Sequence, residues 1–165
     1  MVYTNIPYGV PEQIMSNSKA LPASKHKQPV KATPPWLRVA QLSNMEKIQQ
    51  IRQGFDAAIL KDVGEYFNLS EVRFLHLMGV PKTTAHRLIK KHERLNQNDS
   101  ERLYRLAMVT KMAIDVFGSD ENAKEWLTKP NFALQNAAPL EMLDTEPGAE
   151  IVKRILNSIE TGGIL

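Results

Sequence analysis

Residues 59–95 read ILKDVGEYFNLSEVRFLHLMGVPKTTAHRLIKKHERL, and this stretch decides the fold. Two short helical patterns flank Gly79-Val80-Pro81. Ser70 has the chemistry of an N-cap, and Glu71 puts a negative charge in the first turn, where the helix dipole favours it. Val72, Phe74, Leu75, Leu77 and Met78 give that helix its apolar face. Gly79 falls where a tight turn needs positive φ or no side chain. Val80 can tuck in behind the turn. Pro81 fixes φ where the next helix starts, and no N–H is needed there. Thr84, Ala85, Leu88 and Ile89 form the inner side of the second helix, with Ala85 small enough for a close crossing. Lys82, Thr83, His86, Arg87 and Lys90 form its outer side. The layout is a helix-turn-helix.

That outer side carries the chemistry that DNA needs. The major groove admits a helix, and arginine or lysine donates to guanine O6 and N7. Arg87 and His86 are the candidate base readers. Thr83 and Lys82 suit bases or phosphates. Lys90, Lys91 and Arg94 suit phosphates. The competing reading is an ordinary solvated basic face.

Upstream, Ser43 and Glu46 form a capping-box pattern, followed by Met45, Ile48 and Ile51 at helical spacing. Gly54 interrupts, and Phe55, Ile59, Leu60, Val63 and Phe67 make the next stripe. Gly64 within it costs roughly 1 kcal/mol against alanine, which implies a neighbouring helix crossing closely there. Residues 1–41 hold six of the ten prolines and show no apolar period. They read as a flexible segment outside the folded body, with Trp36 and Leu37 marking where the chain joins the core. Lys19, Lys25, Lys27 and Lys31 in it either approach DNA phosphates or only aid solubility. Tyr3, Ile6, Tyr8 and Val10 have the makings of a small strand or sticky arm.

Downstream, Asn98 with Glu101 suggests the cap of a long helix over residues 99–117. Its stripe is Leu103, Leu106, Ala107, Thr110, Ala113, Ile114 and Phe117, and Gly118 closes it. Arg102 and Arg105 either extend the basic surface or are simply solvated. Ser119 or Asp120 caps a following helix with Ala123, Trp126 and Leu127 inward. Pro130 stops that helix, and Pro139 opens a short turn. Thr145 caps a last helix with Ile151, Val152, Ile155, Leu156 and Ile159 as its stripe. Gly162 and Gly163 then free Ile164 and Leu165, which form either a plug for a partner's pocket or a frayed end.

The net charge of +3 hides a split. Lys and Arg number 8 against 5 Asp and Glu in residues 1–70, 9 against 4 in 71–111, and 4 against 9 in 112–165. The basic middle suits phosphate and the acidic end is repelled by it, so the two surfaces suit different partners. Catalysis finds little support in the sequence. There is no cysteine, and His26, His76, His86 and His92 have no metal-motif spacing. No HExxH, nucleophile elbow or phosphate-cradling glycine loop occurs. Glu141 and Asp144 stand three apart, as chance provides among 18 acids. His86 sits among cations, which suits DNA contact better than general-base work. The chain is therefore expected to be no enzyme, with no metal and no cofactor. The N-terminus lacks a signal peptide's charged and apolar regions, and no apolar run approaches the ~18 residues of a membrane span, so a cytoplasmic protein without membrane contact is expected.

At the C-terminal end, Trp126-Leu127, Asn131-Phe132-Ala133-Leu134 and Pro139-Leu140-Glu141-Met142-Leu143-Asp144-Thr145 precede a terminal helix. Upstream stand Leu95, then Ser100-Glu101-Arg102-Leu103 and Arg105-Leu106-Ala107. This pattern resembles the toxin-binding domain and linking helix of the Xre/MbcA/ParS antitoxins, over roughly residues 50–165. It departs at Phe132, where a proline is usual, and at residues 135–138, which replace a glycine-rich stretch ending in threonine. The resemblance implies an all-α fold, a helix-turn-helix core followed by a small helical toxin-binding domain. The expected segments are 1–41, 42–97 for the helix-turn-helix, and 98–165 for the long helix and toxin-binding domain. It further implies a homodimer that neutralises a RES-type, NAD-degrading toxin and represses its own operon by binding operator DNA. The partner surface it implies includes Trp126, Asn131, Leu134, Asp144, Glu150 and Arg154, with Ile164 and Leu165 as the plug. Two alternatives stay open: a protein-binding antitoxin with a vestigial helix-turn-helix, and a plain transcriptional repressor. Because the charged surfaces are distinct, toxin binding need not depend on DNA binding.

Overall fold

The computed structural model describes residues 33–162. The expectations for Tyr3, Ile6, Tyr8, Val10, Lys19, Lys25, Lys27 and Lys31, and for Ile164 and Leu165, lie outside the described residues. The described chain is all-α. A 3-10 turn, Pro35–Gln41, leads into α1 (Asn44–Gln53), α2 (Ile59–Tyr66), α3 (Glu71–Met78), α4 (Lys82–Lys90) and α5 (Gln97–Phe117). Then come α6 (Asp120–Thr128), two short 3-10 turns (Phe132–Leu134 and Pro139–Asp144) and α7 (Glu146–Thr161). Strand pairing among the described residues is confined to a single antiparallel bridge between Asp56 and Arg94.

The caps explain most of these boundaries. Ser43 and Glu46 close a full capping box on α1. Ser70, Ser119 and Thr145 each accept a backbone N–H at the start of α3, α6 and α7. The cap of α5 is Asn96 rather than Asn98. Asn96 Oδ1 accepts from the Asp99 N–H at 2.9 Å while its amide donates back to the Asp99 carboxylate at 2.8 Å, so the helix starts earlier than expected.

The helix-turn-helix forms as its sequence predicts. Gly79 ends α3 in the left-handed region at φ +64°, Val80 is buried behind it, and α4 buries Ala85 and Leu88. A β-carbon at Gly79 would also lie 2.0 Å from Arg102 Nη1 and would displace that guanidinium, so glycine suits the turn on both counts. Gly64 answers the close approach expected of it: a β-carbon there would touch the Phe74 ring of α3 at 3.4 Å.

The 21-residue helix α5 is the spine. It packs against α1, α6, α7 and the turn Pro35–Gln41. One apolar cluster runs through all of these, from Trp36, Val63 and Phe74 to Leu103, Leu127 and Val152. The core is thus continuous across residues 97 and 98, where two segments were expected to meet.

Three expectations about burial need correction. The folded body begins before residue 42, because Trp36, Leu37 and Val39 are buried. Trp36 stands edge-on to Tyr66 at 5.0 Å and packs on Phe67 at 6.0 Å, long-range contacts that no local period reveals. Met45, Ile48 and Ile159 follow helical spacing but are exposed. Val72 is also exposed: at about 100° per residue it falls on the side of His76, away from Phe74, Leu75 and Met78.

Trp36 is 2 % exposed, and its indole N–H has no hydrogen-bond partner among the described residues. Replacing Trp36 with alanine is expected to cost ~3–5 kcal/mol in urea denaturation. Trp36→Phe keeps an aromatic ring there and removes the orphaned donor, so its midpoint should fall between those of Trp36→Ala and the parent protein.

Candidate nucleic-acid and partner interfaces

The exposed side of α4 holds Lys82, Thr83, His86, Arg87 and Lys90, as its spacing predicts. Three of these side chains already meet carboxylates. Lys82 Nζ lies 2.9 Å from Glu71 Oε2, and His86 Nε2 lies 2.6 Å from Glu71 Oε1. Arg87 Nη1 donates to Glu93 Oε2 at 2.5 Å. Hydrogen bonds from Lys82 and then His86 hold the Glu71 carboxyl below its ordinary range. Glu71 was legible only as a first-turn acid. Its partners lie across the turn, where no helical spacing rule reaches. These groups are about half exposed, so solvent screens each pair and leaves it weak.

Lys90 and Lys91 are exposed and have no ion pair among the described residues. Arg94 is committed differently. Its guanidinium donates to the Gly54 carbonyl at 2.7 Å, tying the end of α1 to the segment after α4. Leu95 N–H donates to Phe55 O at 2.8 Å alongside it.

Arg102 and Arg105 are neither part of the basic surface nor simply solvated. Arg102 donates to Met78 O at 2.5 Å, at the end of α3. Arg105 donates to Leu143 O at 2.9 Å and Asp144 O at 3.1 Å, and pairs with Glu146 at 3.2 Å. Both arginines hold the exposed carbonyl ends of other elements.

The acidic end presents a second face. Trp126 is half-buried, 5.4 Å from the Phe117 ring. It lines an open groove of about 300 Å³ with Asn122, Glu125, Lys129, Pro130 and Asn131. The structure therefore brings Trp126 and Asn131 together. Leu134 is 6 % exposed and anchors the adjoining loop from below. Asp144 is exposed at the turn before α7, and Glu150 and Arg154 lie on the exposed side of α7. These three do not line the groove. Lys153 donates to Glu150 at 2.7 Å and holds that carboxyl below its ordinary range.

Two features escaped the sequence reading. Phe132, noted only as a departure from a family pattern, is 91 % exposed. The Tyr66 hydroxyl of α2 donates to Asp120 Oδ1 of α6, and Lys124 sits 4.0 Å over the Tyr66 ring. Burial, then the hydrogen bond to Asp120, pushes the Tyr66 hydroxyl well above its ordinary value. Nothing in the local sequence of α2 points to a partner on α6.

Among the described residues, no three His, Cys, Asp or Glu are grouped to hold a metal ion, and no helix is long and apolar enough to cross a membrane.

Two family models match the chain. The antitoxin Xre-like helix-turn-helix domain matches residues 46–108, and the antitoxin Xre/MbcA/ParS C-terminal toxin-binding domain matches residues 112–162. An antitoxin Xre from Pseudomonas putida is 33% identical over 120 residues, covering 73% of this chain and 74% of that protein. Another, from Yersinia enterocolitica, is 27% identical over 116 residues, covering 70% and 78%. A protein named Prs ADP-ribosylating antitoxin, from Sphingobium sp., is 27% identical over 143 residues, covering 80% and 90%.

Replacing Arg105 with alanine leaves two carbonyls without their charged donor. A loss of about 2–3 kcal/mol is expected, with amide exchange in α7 accelerating more than in α4. Equal acceleration in both helices would mean that Arg105 does not specifically dock α7.

Proposed function

The chain belongs to the Xre antitoxin family, and from that premise we propose that it neutralises a RES-type, NAD-degrading toxin and represses its own operon through α4. The observation that carries the DNA half is the division of α4: Ala85 and Leu88 are fixed in the core while Lys82, Thr83, His86, Arg87 and Lys90 face outward. Arg87 and His86 read bases, Thr83 and Lys82 contact bases or phosphates, and Lys90 and Lys91 hold phosphates, with Arg94 able to join them only through the guanidinium N–H groups not bonded to Gly54 O. Two copies of the chain present two such helices to half-sites about one helical turn apart. Glu71 and Glu93 give up their cations to DNA at little cost, since exposed pairs are weak.

The toxin half rests on the match of residues 112–162 to a toxin-binding domain and on the groove that joins Trp126 to Asn131 within it. Asp144, Glu150 and Arg154 complete the proposed surface, and Leu134, buried rather than exposed, supports its loop from beneath. Ile164 and Leu165, outside the described residues, keep the plug role that the family resemblance implies. The complex acts in the cytoplasm and needs no cofactor of its own.

The name of the Sphingobium relative favours a second reading, a toxin that transfers ADP-ribose rather than degrading NAD. Both chemistries consume NAD. Co-expression with the neighbouring reading frame, followed by an NAD-loss assay on the partner alone and in complex, tests the antitoxin role. Co-purification with NAD loss suppressed is the expected result. Transfer of label from NAD to protein separates the two toxin chemistries. Failure to co-purify, with the chain still binding its own promoter, would leave a plain repressor.

For DNA, Arg87→Ala is expected to weaken operator binding by ~1–3 kcal/mol if the contact is bidentate. Lys90→Ala should weaken binding to all sequences and lower the salt slope by about one. Unchanged affinity of both variants in fluorescence anisotropy would remove α4 as the reading helix and favour the vestigial form.

A further inference from the structure

A lone exposed apolar side chain needs no explanation. Phe132 differs because the loop that carries it is fixed. Asn131 Oδ1 accepts from Ala133 N–H at 2.9 Å, and Asn131 O accepts from Leu134 at 3.0 Å and Asn136 at 2.9 Å. Asn131 N–H donates to Ala137 O at 3.0 Å, closing the loop on itself. Gln135 and Asn136 both occupy the left-handed region, at φ 55° and 66°. Asparagine visits that region readily, whereas glutamine does so at a cost, which the hydrogen bonds of the loop offset at Gln135. Leu134, 6 % exposed, pins the loop to the core. The outcome is an aromatic ring, 91 % exposed, displayed on a rigid turn next in sequence to Asn131, which lines the Trp126 groove.

We propose that Phe132 is the anchor by which this chain selects its toxin, inserting into an apolar pocket of that protein while the Trp126 groove receives the pocket's edge. The inference rests on the antitoxin reading and deepens it. A ring held in place before binding loses little freedom on association, as expected of the few residues that dominate an interface. Charge identifies the occupant. Residues 112–165 carry 9 Asp and Glu against 4 Lys and Arg. Net negative charge on that half of the chain disfavours DNA as the occupant, and the match of residues 112–162 to a toxin-binding domain favours a toxin. The occupant is a different protein with an apolar pocket for the ring.

The test is titration of the full chain against the toxin encoded beside it, by calorimetry, with sedimentation of the chain alone. Phe132→Ala is expected to weaken the complex by ~30-fold or more, with an unchanged melting temperature because the ring touches solvent. Met45→Ala, another exposed apolar position, should leave the affinity unchanged. Parent-like affinity in Phe132→Ala overturns the anchor and leaves the antitoxin reading standing. A change in the oligomeric state of the isolated chain on Phe132→Ala makes a second copy the occupant and overturns it too. No binding by the parent protein removes the antitoxin reading along with the anchor.

Discussion

Two arginines one turn apart on α5 hold the molecule together at its joints. Arg102 donates to the Met78 carbonyl where α3 ends, and Arg105 to the Leu143 and Asp144 carbonyls where the chain enters α7. The last carbonyls of a helix lack intrahelical donors and carry the negative end of its dipole, so a guanidinium serves them both as donor and as charge. The angle at which α4 leaves α3 is set at Gly79, directly against the Arg102 guanidinium. The docking of α7 is set at the carbonyls that Arg105 holds. One helix thus orients both the face proposed for DNA and the face proposed for toxin.

What was legible in the sequence was local. Ser43, Ser70, Ser119 and Thr145 announce helix starts through bonds three residues long, and Gly79 and Gly118 announce helix ends through their own backbone freedom. The inner and outer sides of α4 follow from spacing alone. What was not legible depends on partners far along the chain. Arg102 and Arg105 look like surface cations because their acceptors are backbone carbonyls 24 and 38 residues away, and a carbonyl leaves no mark in a sequence. Trp36 looks like a boundary residue because Tyr66 and Phe67 complete its pocket from another helix. Met45, Ile48 and Val72 look inward because periodicity reports a face, not whether anything covers it.

The candidate site was legible in the same uneven way. The cations of α4 are where their spacing puts them, but Glu71 and Glu93 stand among them and divide their charge. Exposed ion pairs orient α4 very little. Its orientation comes from Ala85, fully buried, and Leu88, 7 % exposed, beneath it. The carboxylates therefore reduce the positive potential of the face without determining its geometry. A ligand with stronger negative charge meets a surface already in place and has only weak pairs to exchange.

The basic and acidic surfaces are separate, but the core behind them is shared. Helix α6 is nine residues long and has work on two sides. Asp120 and Lys124, four apart, meet Tyr66 of α2. Asn122, Glu125, Trp126 and Lys129, spaced for a different side, wall the groove. α6 thus touches the groove on one side and α2, through the Asp120–Tyr66 hydrogen bond, on the other. Within α2, Gly64 faces the Phe74 ring of α3, where a β-carbon would meet it at an ordinary contact distance of 3.4 Å. α3 ends at the turn that aims α4. The face proposed for DNA and the face proposed for toxin therefore share one close-packed set of helices behind them.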